Sequence, residues 1–191
     1  VSETARALMY HTIMADPPWN ESGGSAHCKG GKRGADKHYA LMSTDAIIAT
    51  MKAADKFSPA DSCHLWLWVT NNFLVDGLKV IESLGFRYVT NLCWVKQGMG
   101  IGRYLRGQHE LCLFAVRGPS MMPEDHGVPS AVFYCMKEEH SRKPDYVTHY
   151  IERISPAPRL EMFARGPRPG WDVWGNQTDK YEFPLLAACT T

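Results

Sequence analysis

Asp16, Pro17, Pro18 and Trp19 are residues whose types and spacing specify chemistry before any fold is considered. An apolar run, His11-Thr-Ile-Met-Ala15, leads into them and reads as a buried strand. Two consecutive prolines lack the N–H groups a ladder needs and hold φ at about −65°, so the strand has to stop at Asp16. The carboxylate is thereby fixed at the carboxyl end of a strand by a stiff loop, at the edge where open α/β sheets bind ligands. An aspartate there serves as metal ligand, general base or hydrogen-bond acceptor, and nothing in its immediate sequence neighbourhood suggests further metal ligands. The stiff loop suggests another use. A side-chain oxygen of Asp16 and the carbonyl of Pro17 can together accept both hydrogens of one NH₂ group, localising its lone pair away from an aromatic ring. Trp19 adds a flat face on which a ring stacks. That combination is what alkylation of the exocyclic amine of a base requires.

The elements that must hold this loop follow from the hydrophobic pattern. Ser43 caps a helix in "TDAIIATMKAAD", which has an early acid and apolar positions at helical spacing. "CHLWLWVT" (63–70) is the continuous apolar run of a strand covered on both faces, and "NNFLVDGLKVIESLG" (71–85) is an amphipathic helix stopped by Gly85. Strands are expected at 86–96, 109–118, 131–135 and 159–165, and a helix at 143–155 with Pro144 at its tolerant start. "GWDVWGNQ" (170–177) follows a Gly/Pro turn. Strands alternating with helices make the class α/β with a largely parallel sheet. Two Gly- and Lys/Arg-rich stretches, 21–37 and 97–108, interrupt the pattern. The second has three alternate glycines but neither the GxGxxG spacing nor a following helix, so it reads as a basic loop over a substrate rather than a phosphate cradle.

A chain of 191 residues, 45% hydrophobic, supports one core, and a single domain over 9–180 is expected, with 1–8 a leader or tag and 181–191 a tail. The net charge of +1 carries no bulk footprint of a strong nucleic-acid binder, so any grip on a polyanion is local. Six cysteines without a CxxC pair or zinc-finger spacing, and no apolar span near the length of a membrane helix, point to a soluble, reduced, cytoplasmic protein without a metal. Trp66, Trp68 and Phe73 read as core.

"ADPPW" followed by "HYALMS" resembles the catalytic region of the adenine N6-methyltransferase family that includes the mRNA adenosine methylation enzymes and small bacterial and phage DNA-adenine methyltransferases. The resemblance continues in order through "WLWVTNNFL", "WVKQG", "GRYLRGQHELCLFAVRG", "HSRKPDYVTHYIERISP", "RLEMFAR" and "GWDVWGNQ", covering Met9 to about Gln177. It implies a permuted Rossmann-like fold with helices on both faces of the sheet, S-adenosyl-L-methionine as cofactor, and direct in-line methyl transfer to the N6 amine of adenine in DNA, with RNA as the alternative. A silent nucleic-acid-binding partner subunit is the contrasting reading, which the intact motif disfavours. Carried over by position, Asp16, Pro17, Pro18 and Trp19 would form the catalytic motif, with Asp16 and Pro17 binding the target amine and Asp16 also contacting the cofactor. Lys143 would face the cofactor carboxylate, and Arg165, Asn176 and Gln177 would hold its ribose and adenine. Tyr39, Lys96, Arg103 and Arg106 would contact the substrate, and the protein would act as monomer or homodimer. Glu161 is a further cofactor-pocket candidate. The sequence departs from the larger relatives in the turn "RGPRPGW", where they carry a His-Asn pair and this chain carries Arg168.

Overall fold

A computed structural model describes residues 8–20, 41–100, 104–119, 121, 130–135 and 143–180. The proposed leader (apart from Leu8), the tail, Tyr39, Arg103 and the basic stretch 21–37 lie outside the described residues.

Among the described residues seven strands form one sheet in the order β5-β3-β4-β2-β1-β6-β7. They are β1 Tyr10–Ala15, β2 Pro59–Val69, β3 Arg87–Val95, β4 His109–Arg117, β5 Val132–Tyr134, β6 Arg159–Met162 and β7 Asp172–Trp174. The helices are α1 Thr44–Ala53, α2 Leu74–Ser83 and α3 Tyr146–Ile154. Strand β4 runs antiparallel to β2 and β3, and the other four pairings are parallel. The expected alternation of strands and helices breaks between β3 and β4. There two backbone bonds prolong the antiparallel ladder beyond the strand ends, Lys96 N–H donating to Gln108 O at 2.7 Å and Gly100 N–H to Gly107 O at 3.0 Å.

The central strands are apolar on both sides because both faces are covered. Along β2 the period of two sends Leu65, Leu67 and Val69 to one face and Trp66 and Trp68 to the other. The first face packs with Ile13, Leu113 and Leu160 against Ile47 and Met51 of α1 and Val80 and Ile81 of α2. The second packs with Met14, Trp94 and Cys112 against Val147 and Ile151 of α3. Trp66 and Trp68 are therefore core, as the sequence suggests. Gly77 permits the close seating of α2, since a Cβ there would stand 2.6 Å from Val69 Cγ1.

Local signals hold at the helix ends. The Ser43 side chain accepts the Ala46 N–H and caps α1. Gly85, with φ of 78°, ends the α2 segment in the left-handed region. The segment before α2 differs from a uniform helix, since Asn71–Phe73 is a 3₁₀ turn. A buried histidine cluster is structural. His64 is buried, its Nδ1 lies 2.8 Å from Ser155 Oγ, and the same hydroxyl accepts from Trp66 Nε1 at 3.0 Å. Burial pushes the His64 imidazole down to about 4, so it is neutral at physiological pH. Among the described residues no helix is long and apolar enough to cross a membrane.

Candidate active site

Strand β1 has β2 on one side and β6 on the other, both parallel to it. The chain leaves β1 toward β2 and reaches β6 only later, so the sheet order turns about β1 and opens a crevice beyond its carboxyl end. Asp16 is the residue at that end, with its N–H directed at Met162 O on β6 at 3.5 Å. The prolines then turn the chain. Pro17 O accepts the Trp19 N–H at 2.9 Å and Pro18 O accepts the Met42 N–H at 2.8 Å, which ties the loop to the residue before the α1 cap. A carbonyl has two lone pairs, so the Pro17 oxygen keeps acceptor capacity beyond its bond to Trp19.

The role expected of Trp19 needs correction. Its ring is 5% exposed, stacks on Phe73 with centroids 5.4 Å apart, and donates its Nε1–H to Trp68 O at 2.9 Å. It braces the proline loop against β2 and does not present a free face to an incoming base. Phe73 is the other half of that stack and so belongs with the core, as expected.

Asp16 sits where two cavities meet. The larger, about 350 Å³, is lined by Asp16, Pro18, Phe163, Trp174, Asn176 and Gln177 among others. The smaller, about 50 Å³, takes in Asp16, Lys143, Asp145, Glu161, Arg165 and Arg168. Asp16, Phe163 and Arg165 line both. The expected strand 159–165 ends at Met162 because Phe163 adopts a φ of 59°, a left-handed conformation costly for a non-glycine residue. That turn carries Arg165 back over the crevice. Strand β7 ends close against it. Ala164 N–H donates to Trp174 O at 3.0 Å, and a Cβ on Gly175 would lie 2.6 Å from Ala164 O. Gly175→Ala therefore pushes the 163–165 turn out of place. It is expected to cost about 1–3 kcal/mol and lower Tm by several degrees in a thermal melt. An unchanged Tm would mean the turn yields freely.

A chain of alternating charges runs from Asp16 into the sheet. Lys143 Nζ lies 2.8 Å from both Oδ1 and Oδ2 of Asp16 and 3.4 Å from Glu110 Oε2, and Glu110 in turn pairs with Lys96. Lys143 also stands 5.4 Å from the Trp68 ring centroid, and Lys96 4.7 Å from that of Trp94. Burial alone would lower the Lys143 pKa, but the Asp16 and Glu110 carboxylates outweigh it and hold the ammonium above its ordinary range. Burial would likewise raise Glu110, yet Lys143 and Lys96 beside it hold its carboxyl below the usual range. Lys96 was expected on the substrate. Its charge is instead engaged with Glu110 inside the site, so it supports Lys143 through that carboxylate. Arg106 is exposed on the segment that leads into β4.

Sequence reasoning missed Glu110. The available signal was an acid at the second position of an otherwise apolar strand, on the side of the period that also carries Cys112. Glu161 was singled out, and it lines the smaller cavity in a pair with Arg168. Among the described residues no group of three or more His, Cys, Asp or Glu is arranged to hold a metal ion.

Compared with known proteins, residues 10–177 match the MT-A70 family. The type II methyltransferase M.MunI of Mycoplasma sp is 29% identical over 92% of this chain and 81% of its own length. A putative N(6)-adenosine-methyltransferase MT-A70-like protein of Medicago truncatula is 31% identical over 88% of this chain, but only 26% of its own length is matched. The N(6)-adenosine-methyltransferase catalytic subunit METTL3 of Homo sapiens is 28% identical over 89% of this chain and 28% of its own length. The match begins in β1, just ahead of the Asp16 motif, and ends at Gln177 on the wall of the larger cavity, so it spans every element that builds the crevice. The chain belongs to the MT-A70 family of adenine N6-methyltransferases.

Proposed function

We propose that this chain methylates the N6 amine of adenine in DNA with S-adenosylmethionine as methyl donor, using Asp16 and the Pro17 carbonyl to hold the amine. The observation that carries this reading is the position of Asp16 at the junction of the two cavities, with its carboxylate locked in orientation by Lys143.

The residues fit the cofactor. The larger cavity joins the Phe163 and Trp174 rings to the Asn176 and Gln177 amides, the mixture of apolar walls and few polar groups that a nucleoside needs. The smaller presents cations and carboxylates together, as a zwitterionic amino-acid end needs. When bound, the cofactor supplies an electrophilic sulfonium methyl. Asp16 accepts one amine hydrogen through lone pairs not used by Lys143, and Pro17 O accepts the other. Both acceptors are fixed beforehand by the proline loop, and both interact more strongly as the amine nitrogen becomes positive, which is where preorganised electrostatics lowers a barrier. The proton released passes to Asp16 or water, and Lys143 stabilises the carboxylate form while it waits.

The choice of DNA follows the likeness to a type II methyltransferase, which the chain matches along 81% of that protein's length. In a duplex the target adenine must leave the stack, so single strands and mismatched sites are expected to be better substrates than a paired duplex. Mass spectrometry of nucleosides from double-stranded DNA, single-stranded DNA and RNA, each incubated with protein and S-adenosylmethionine, tests the proposal. N6-methyladenine in the DNA pools is the expected result. Product in RNA alone would overturn the choice of substrate, and product in none the activity itself.

A further inference from the structure

We propose that Tyr104 and Leu105 form the wedge by which this protein opens paired DNA, filling the place in the base stack that the target adenine vacates. This rests on the DNA reading above and adds to it the step that must precede methyl transfer in a duplex.

The need for a wedge follows from where the amine is held. Asp16 lines both cavities of the crevice, and an adenine still paired and stacked in a duplex does not reach it. Trp19, the ring nearest to Asp16 in sequence, is turned inward onto Phe73, so an aromatic for the vacated stack has to come from another element. Tyr104 is the most exposed aromatic among the described residues, at 99%, and Leu105 beside it is 87% exposed. A single exposed leucine is ordinary. An aromatic and an aliphatic side chain together in water, followed by a cation at Arg106, have the makeup of an element that enters a base stack while a guanidinium meets the phosphates. Two side chains fall far short of the roughly 800 Å² per partner that a stable dimer buries, so a second copy of this chain is the poorer occupant.

The sheet places the pair at the correct edge. Strand β4 runs antiparallel to β2, with Leu111 opposite Val69, and β2 runs parallel to β1, with Leu67 beside Ala15. The chain therefore enters β4 at the edge where β1 ends at Asp16. Tyr104 and Leu105 precede that entry by a few residues, and Glu110, the second residue of β4, pairs with the Lys143 that holds Asp16. The footing of the segment is firm. Beyond the two backbone bonds that join it to the end of β3, the chains approach so closely that a Cβ on Gly100 would stand 2.6 Å from Gly107 O. A fixed footing favours insertion, because side chains on a loose segment lose in ordering what they gain in stacking.

The test is methylation of one linear DNA, used paired and after strand separation, with S-adenosylmethionine as methyl donor and N6-methyladenine read by mass spectrometry. Because both side chains are exposed, Tyr104→Ala and Leu105→Ala should keep the wild-type Tm. Tyr104→Ala is expected to lose about tenfold or more in kcat/KM on paired DNA, the loss of one base–aromatic stack, and to stay within about twofold of wild type on single strands. Leu105→Ala should show the same split with a smaller loss, and Tyr104→Trp, which keeps a ring, should restore most of the rate on paired DNA. Arg106→Ala, by contrast, should lower both forms together, because both carry phosphates. Equal losses on the two forms in Tyr104→Ala, no loss on either, or a wild type that methylates single strands but not paired DNA would each overturn the wedge and leave the DNA reading standing. A wild type that methylates neither form overturns the DNA reading itself.

Discussion

Asp16→Ala is expected to lower methyl transfer by at least 10²–10³-fold, about the loss seen when a fixed group stabilising developing charge is removed. The cavities are expected to survive the change, because Asp16 is one of many residues in their walls and the Trp19 brace does not involve the Asp16 side chain. Affinity for S-adenosylhomocysteine should therefore stay close to wild type while turnover collapses. Asp16→Asn separates the two tasks of the residue. Its amide oxygen still accepts an amine hydrogen, but the neutral group no longer balances Lys143, so activity should fall less than in Asp16→Ala. Transfer of a labelled methyl group under saturating substrate measures both. If Asp16→Ala kept a tenth of wild-type turnover, Asp16 would not be the amine acceptor.

The second large effect is on stability and is set by Glu110. Glu110 sits between Lys143 and Lys96 with side-chain exposure of only 16%, so Glu110→Gln leaves one carboxylate, Asp16, where two had faced the pair of ammoniums. Breaking a buried charge network from one side costs about 3 kcal/mol or more, which for a chain of this size lowers Tm by roughly 6–12 °C. The variant should also change the acid limb of the stability curve. A carboxyl held below its ordinary pKa in the folded state contributes stability above the unfolded value of about 4.3, and that contribution disappears as pH falls through the folded value. His64 acts over a different window. Its imidazole is held down to about 4 by burial, so stability declines from near its unfolded value of about 6.5 as the pH drops toward 4. Wild type and Glu110→Gln should run parallel between those limits, and only wild type should steepen below about pH 4.3. Chemical denaturation at a series of pH values resolves the two. A Glu110→Gln curve that matches wild type throughout would show that the carboxylate is solvated and uncoupled from the lysines.

What the sequence determined by itself is local. Two prolines after an apolar run stop a strand wherever they occur, so the place of Asp16 at the carboxyl end of β1 was readable without a fold. The Ser43 cap and the Gly85 stop were readable for the same reason, since each depends on a few neighbouring residues. The two-sided burial of β2 was written in its uninterrupted apolar run. Tertiary structure decided what those elements face. Trp19 carries the same side chain whether it offers its ring to a base or stacks it on Phe73, and only the packing of the loop on β2 selects the second. The antiparallel pairing of β3 with β4 was likewise decided by the fold, because two apolar strands and the glycines between them do not by themselves set the direction of pairing. The charge chain from Asp16 through Lys143 and Glu110 to Lys96 joins β1, the start of α3, β4 and the end of β3. No spacing rule links residues 16, 143, 110 and 96, since they become neighbours only when the parallel and antiparallel halves of the sheet bring their strand ends to one edge.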